Sequence, residues 1–268
     1  MQFLKTIVAY RELIFNLVAR DLNSRYRGSV LGLLWIVLTP LFMAFIYMFF
    51  LRLLMGRGVA IRHEEIIIGV FAWQFTVQSI QSGMSCITSN QNLVKKIFFP
   101  RIILPLSVTL AALVNYVLML AVQLVIVMVL LWLGGTHLSG WIILLPLVVG
   151  YHFVFNFSVG LLTAASNVYF RDTQHFVGVL LSAWFFLSPV MYPLSMLAGL
   201  TGDRAWVQEV YMLNPISIII TAYRALHVPA TAFPWSWGVL VGLLWPVLFY
   251  VVAMKVYARA QKNFADYL

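Results

Sequence analysis

Apolar residues in this chain come in long unbroken runs and do not alternate with polar ones. No Asp, Glu, Lys or Arg stands between Arg27 and Arg52, between Glu65 and Lys95, between Arg101 and Arg171, or between Asp172 and Asp203. A helix needs about 20 apolar residues to cross a hydrocarbon core of about 30 Å. The gaps therefore predict spans over 28–51, 66–88, 104–133, 141–168, 176–194 and 235–257. The gap after Arg101 holds two spans because Gly134-Gly135-Thr136-His137-Leu138-Ser139-Gly140 is rich in turn formers. A membrane β-barrel would show polar residues at every second position, and these runs are apolar on all sides. The expected fold is an all-α integral membrane domain of six helices, residues 1–268 forming one transmembrane unit.

The intervening segments carry patterns of their own. Over 3–19, Phe3, Leu4, Ile7, Val8, Leu13, Ile14 and Leu17 recur at near-helical spacing among Lys5, Arg11, Glu12 and Asn16, which predicts an amphipathic helix lying in the interface. The loop 89–103 is polar, then basic (Lys95, Lys96), then aromatic (Phe98, Phe99), and Pro100 and Pro105 end any local helix. The lysines suit any cytoplasmic loop; the phenylalanines suit a short helix docking on a cytoplasmic partner. In 195–234, Asn214-Pro215 is a helix start. The apolar stretch after it is too short to span, so a re-entrant helical hairpin is expected between spans five and six.

Composition fits the same class. The chain has 268 residues, 63% hydrophobic and 9% charged, against about 25% charged in ordinary soluble domains. Such a chain cannot cover itself in water, and one cysteine, Cys86, builds no disulfide framework. Lys and Arg mark the cytoplasmic side. With six spans, twelve of the 17 fall on the side of the termini and five on the other, so both termini are expected in the cytoplasm, with no cleavable leader.

Apart from Lys255 at the end of the last span, the spans hold no acidic or basic residue, which argues against an ion-coupled transporter. No nucleophile, base and acid occur together there, which counts against a membrane glycosyl or acyl transferase. His152 reads as a helix–helix hydrogen bonder. No metal-ligand spacing is present. Two stripes stand out. Gln74, Gln78, Gln81, Ser82 and Ser85 share one face of the second span, and Trp35, Phe42, Phe45 and Phe49 lie along one side of the first. The fifth adds Trp184, Phe185 and Tyr192. Amides, hydroxyls and ring faces together suit sugars. Helix packing for the glutamines and lipid or interface anchoring for the rings are the competing readings. No G-x-x-x-x-G-K-[ST] loop occurs, so this chain has no phosphate-cradling ATPase motif.

The stretch from Arg20-Asp21 through Arg25-Tyr26-Arg27-Gly28-Ser29 to Leu31-Gly32-Leu33-Leu34-Trp35, then Thr39-Pro40, resembles the opening of type-2 ABC exporter permeases of the polysaccharide (O-antigen and teichoic-acid) branch. Asn214-Pro215 and the loop 90–105 match as well. Where the capsule branch carries Glu-Pro, this chain has Thr39-Pro40. The resemblance implies a homodimer in the bacterial inner membrane, bound to two separate ATP-binding subunits that hold the ATP and Mg, with no cofactor on this chain. The cargo would be a glycan on undecaprenyl diphosphate, O-antigen first, passing between protomers along spans one, two and five. Arg20, Arg25 and Arg27 would attract the diphosphate headgroup. Asn90, Lys95, Lys96, Phe98, Phe99 and Arg101 would couple to the ATPase, with Arg171 and Asp172 as a second contact. A permease for drugs or small lipids is the alternative within the class.

Overall fold

The computed structural model describes residues 2–26, 28–55, 62–194, 196 and 205–267, and every regular element among them is helical. The N-terminal segment forms two helices, α1 (Gln2–Ala9) and α2 (Arg11–Tyr26), where one was expected over 3–19. The run of apolar residues after α2 does not start as helix. Gly28 and Gly32 have φ of 81° and 50°, values that glycine adopts without the steric cost of a Cβ. The chain turns there and enters α3 (Trp35–Met55) through a 3-10 turn at Gly32–Leu34.

The next helix, α4 (His63–Ser85), starts with Glu64 and Glu65, whose charges oppose the positive end of the helix dipole. A 3-10 turn at Thr88–Asn90 and the short α5 (Gln91–Lys96) lead to α6 (Ile103–Leu133). That helix stops at Gly134-Gly135, Gly135 taking a φ of 74°. A 3-10 segment at Gly140–Leu144 opens α7 (Leu145–Tyr169), capped by the Ser139 hydroxyl accepting the Trp141 N–H. There follow α8 (Thr173–Phe186), α9 (Ala205–Met212), α10 (Pro215–His227), α11 (Trp237–Gly242), α12 (Trp245–Ala260) and α13 (Phe264–Tyr267).

Among the described residues, four segments are long and apolar enough to cross a membrane: Gly32–Leu53, Ile103–Leu133, Gly140–Tyr169 and Trp237–Asn263. This is a multi-pass membrane protein. α4 has the length, but its glutamines and serines lower its hydropathy. Its surroundings explain why that is tolerated: it lies against α3, α6, α7, α8 and α10, so little of it needs to face lipid. α8 is shorter than the expected span 176–194. At 14 residues it rises about 21 Å, short of a bilayer core. Pro189 disfavours helix at Ser188, and the chain turns at 187–190. The run 235–257 is likewise broken at Leu243-Leu244, just before Pro246 in the first turn of α12, where a missing N–H does no harm.

Packing centres on α4. At Gly83 a Cβ would stand 2.9 Å from the Gly160 Cα, so glycine is what lets α4 and α7 touch backbone to backbone. The main core joins α3, α4, α6, α7, α8 and α10 around Phe71, Phe75, Tyr116 and Phe155. A second cluster holds Ile14 and Leu17 of α2 against Ile87, Leu104, Ala164, Tyr257 and Phe264. The amphipathic segment thus docks its apolar side on the bundle. Inside, Thr76 Oγ1 and His152 Nε2 are 2.7 Å apart, and His152 Nδ1 meets the Tyr223 hydroxyl at 3.4 Å. His227 Nδ1 donates to the Tyr223 carbonyl, leaving Nε2 to accept from Gln123 Nε2 at 3.2 Å. These bonds join α4, α6, α7 and α10 where apolar contacts alone would not set their register.

Candidate translocation surface and its two ends

Helix α3 turns Ile36, Ala44 and Leu51 inward. That leaves the other side to Trp35, Phe42, Phe45 and Phe49, which are 43%, 58%, 64% and 59% exposed. Beside it on α4, Gln74 and Gln78 are half-buried and Gln81 is exposed. Among the described residues, none of these three amides forms a side-chain hydrogen bond. Amides that served as packing glue inside one subunit would be bonded there. Ser85 differs, donating to the Gln81 carbonyl at 3.1 Å.

The fifth-span aromatics divide. Phe185 is buried between Tyr47 and Trp73, with ring centroids at 5.2 and 5.8 Å. Trp184 packs edge-on to Phe155 and donates its Nε1–H to Asn214 Oδ1 at 2.8 Å. The Tyr192 hydroxyl contacts the Phe186 carbonyl and the Tyr211 hydroxyl. Asn214 does more than cap α10. Its Oδ1 accepts from the Ile216 N–H and from Trp184, while Nδ2 donates to the Leu187 carbonyl and Ser188 Oγ. One side chain thereby fixes the start of α10 to the end of α8.

At the end of the bundle that holds α2, Arg20, Asp21, Arg25, Ser82, Ser85 and Asn90 line a cavity of about 240 Å³. Arg25 donates Nε–H to Asp21 at 2.8 Å and an Nη2–H to Ser82 Oγ at 2.9 Å. Arg20 donates to Asn90 Oδ1 at 2.6 Å. The structure therefore brings two of the arginines singled out in the sequence together with the lower end of the Gln/Ser face. Arg27 lies outside the described residues.

The loop 89–103 separates its residues sharply. Lys95, Lys96 and Phe98 are exposed, Phe98 completely. Phe99 is 7% exposed and belongs to the cluster around Ile87, Leu104 and Tyr257. Arg101 donates to the Gln261 carbonyl and stands over the Phe264 ring at 6.0 Å, and Asn90 also donates to the Cys86 carbonyl. Arg171 and Asp172 are exposed in the turn between α7 and α8.

The opposite end of the bundle holds residues that sequence reasoning missed. Arg224 is 1% exposed and donates to three main-chain carbonyls: Nε to Glu65 at 3.0 Å, Nη1 to Tyr192 at 3.0 Å and Nη2 to Val190 at 3.2 Å. It ties α10 to the start of α4 and to the chain after α8. Glu65, also buried, accepts from Arg62 at 2.8 Å and from Thr231 at 2.9 Å. The signal was present: Arg224 is the sole cation within the apolar stretch 215–226.

Residues 12–228 match the family of ABC-2 type transporters. The chain belongs to that family. The ABC-2 chain is also similar over most of its length to proteins named O-antigen export system permease protein RfbA. The one from Myxococcus xanthus is 34% identical over 226 residues, 84% of each chain. One from Klebsiella pneumoniae is 27% identical over 257 residues, 96% of this chain and 95% of the relative. Another from Klebsiella pneumoniae is 26% identical over 216 residues, 80% of each. Family membership makes this ABC-2 chain a transporter subunit rather than an enzyme, and implies an ATP-binding partner.

Proposed function

We propose that this chain is the permease subunit of an ATP-driven exporter that moves polysaccharide of the O-antigen type, carried on undecaprenyl diphosphate, across the bacterial inner membrane. The observation that carries the reading is its near full-length similarity to permeases named for O-antigen export. In this account two copies face each other, both termini are cytoplasmic, and α4 and α8 contribute to six crossings, with α9 and α10 as a hairpin entering from outside. Symmetry supplies the second half of the channel. ATP and Mg bind the separate ATPase, and this chain carries no cofactor.

The physical support is a surface suited to a moving, hydrated polymer. The rings of Trp35, Phe42, Phe45 and Phe49 are exposed, and the glutamine amides of α4 form no side-chain hydrogen bond among the described residues. Ring stacking and exchangeable amide bonds of about 1 kcal/mol each hold a sugar chain weakly enough to let it pass. Arg20 and Arg25 offer N–H donors beside Ser82 at the cytoplasmic end, and guanidinium groups suit diphosphate oxygens. Phe98 is the aromatic anchor for the ATPase, with Lys95, Lys96, Arg171 and Asp172 around it; Asn90, Phe99 and Arg101 hold that loop on the bundle.

The test is complementation. In a strain that makes O-antigen but lacks its export permease, this chain expressed with its ATPase should restore polymer on surface lipopolysaccharide. Polymer that stays inside such cells, with both proteins present at normal levels, would refute the proposal.

A further inference from the structure

We propose that the external end of the bundle binds a zwitterionic phospholipid, its head in a polar cavity beside Arg62 and Glu65 and an acyl chain in the adjoining groove between α7 and α10. The cavity measures about 240 Å³ and is lined by Arg62, Glu65, Thr221, Arg224 and Thr231 among others. The groove measures about 530 Å³ and is lined mainly by apolar residues, including Leu147, Val148, Ala225, Leu226 and Phe233. Thr231 and Ala232 line both, so polar and apolar spaces meet as the two parts of an amphiphile do.

The charges select the head. Arg62 is held at 2.8 Å from Glu65 and 3.4 Å from Glu64, and Arg224 is committed to main-chain carbonyls. With Arg224 so committed, the wall presents Arg62 and Glu65 side by side, so an anion alone would face Glu65. A head with phosphate and ammonium fits both groups: the phosphate on Arg62, the ammonium on Glu65. Both hydrogen bonds described for Glu65 use Oε1, and among the described residues none uses Oε2. Thr221 also lines the cavity and is 2% exposed; among the described residues its hydroxyl has no hydrogen-bond partner.

Depth agrees as well. Trp141 and Trp235 are exposed at the groove's rim, and tryptophan collects where head groups meet hydrocarbon. Leu147 and Val148 lie further along α7 from that rim. The outer-leaflet assignment rests on the topology proposed above. The binding itself does not, and the test places lipid in both leaflets.

The test uses the full chain in vesicles of phosphatidylethanolamine and phosphatidylglycerol, with traces of either lipid carrying a photoreactive diazirine in mid-chain. Cross-links are mapped by peptide mass spectrometry. The phosphatidylethanolamine probe should label Leu147, Ala225 or Phe233 about tenfold more than the phosphatidylglycerol probe, the worth of one charge-assisted hydrogen bond. Ala225→Trp should remove that labelling and leave lipid-facing Val125 and Val129 labelled as before. Glu65→Gln, which removes the charge that holds the ammonium, should bring the two probes close to equal. Equal labelling in the unaltered chain marks an ordinary lipid-facing surface and overturns the proposal, as does full labelling in Ala225→Trp. Leu147→Trp, on the opposite and exposed wall, makes the same test if Ala225→Trp fails to fold.

Discussion

Arg224→Met removes a buried cation and leaves three carbonyl acceptors behind it. Those of Glu65, Tyr192 and Val190 each lose an N–H donor at 3.0 to 3.2 Å. A buried polar group left without a partner costs about 1–3 kcal/mol. The cavity beside Arg62 can admit water to at least one of the three, and methionine recovers the stem's apolar contacts. The net loss is then about 3–5 kcal/mol. In a protein of this size that lowers the thermal midpoint by about 10 °C. Arg224→Lys keeps the charge and can reach one or two carbonyls, but a single ammonium cannot span three in the geometry of a guanidinium; its loss should be about half as large. The assay is thermal unfolding of the purified chain in nanodiscs, followed by intrinsic tryptophan fluorescence. A midpoint for Arg224→Met within about 2 °C of the unaltered chain, a change of about 1 kcal/mol or less, would refute the clamp. It would mean that these carbonyls are solvated or otherwise satisfied.

Gly83→Ala should destabilise strongly, because its Cβ would sit 2.9 Å from Gly160 Cα, while Gly160→Ala should be milder, its nearest contact being 3.6 Å; the order of the two thermal midpoints checks this. Phe98→Ala should weaken co-purification of the ATPase while stability moves by less than about 0.5 kcal/mol, as for an exposed side chain. Phe99→Ala should instead cost about 3–5 kcal/mol of stability, as for a buried aromatic ring, so unfolding and pull-down assays separate the pair. Asn214→Ala should cost about 2 kcal/mol or more, since it deletes a helix cap together with the bonds to Trp184, Leu187 and Ser188. The tryptophan emission spectrum should report the freed Trp184 indole.

How much was legible in the sequence depended on whether a signal was local. The bounds expected for 104–133 and 141–168 fall within a residue or so of the helical segments Ile103–Leu133 and Gly140–Tyr169, because charges and glycines bracket them. In the fifth run the helix ends before the apolar stretch does: 176–194 is apolar throughout, but Pro189 and the bonds from Asn214 turn the chain at Leu187. α4 showed the reverse, a helix whose polar side lowers its hydropathy and whose central position makes that harmless. Phe98 and Phe99 are indistinguishable in sequence; the extended backbone after α5 points one out and the other in. Arg224 was counted as an external charge because its three acceptors are main-chain carbonyls, which carry no mark in a sequence. The Gln/Ser face was visible, but whether its amides were satisfied within the chain was a tertiary matter.

The central claim is that the face formed by α3 and α4 lines the path of the polymer between two copies. The direct measurement places cysteine at Phe45 or Gln78 in a Cys86→Ala background, Cys86 being buried, and follows labelling by a membrane-impermeant thiol reagent in cells that export O-antigen with the partner ATPase. The account predicts labelling at both positions that falls when polymer occupies the exporter and rises when glycan synthesis is blocked. Labelling at neither position, in variants that still export, would contradict it and leave the two stripes as packing and lipid-facing surfaces.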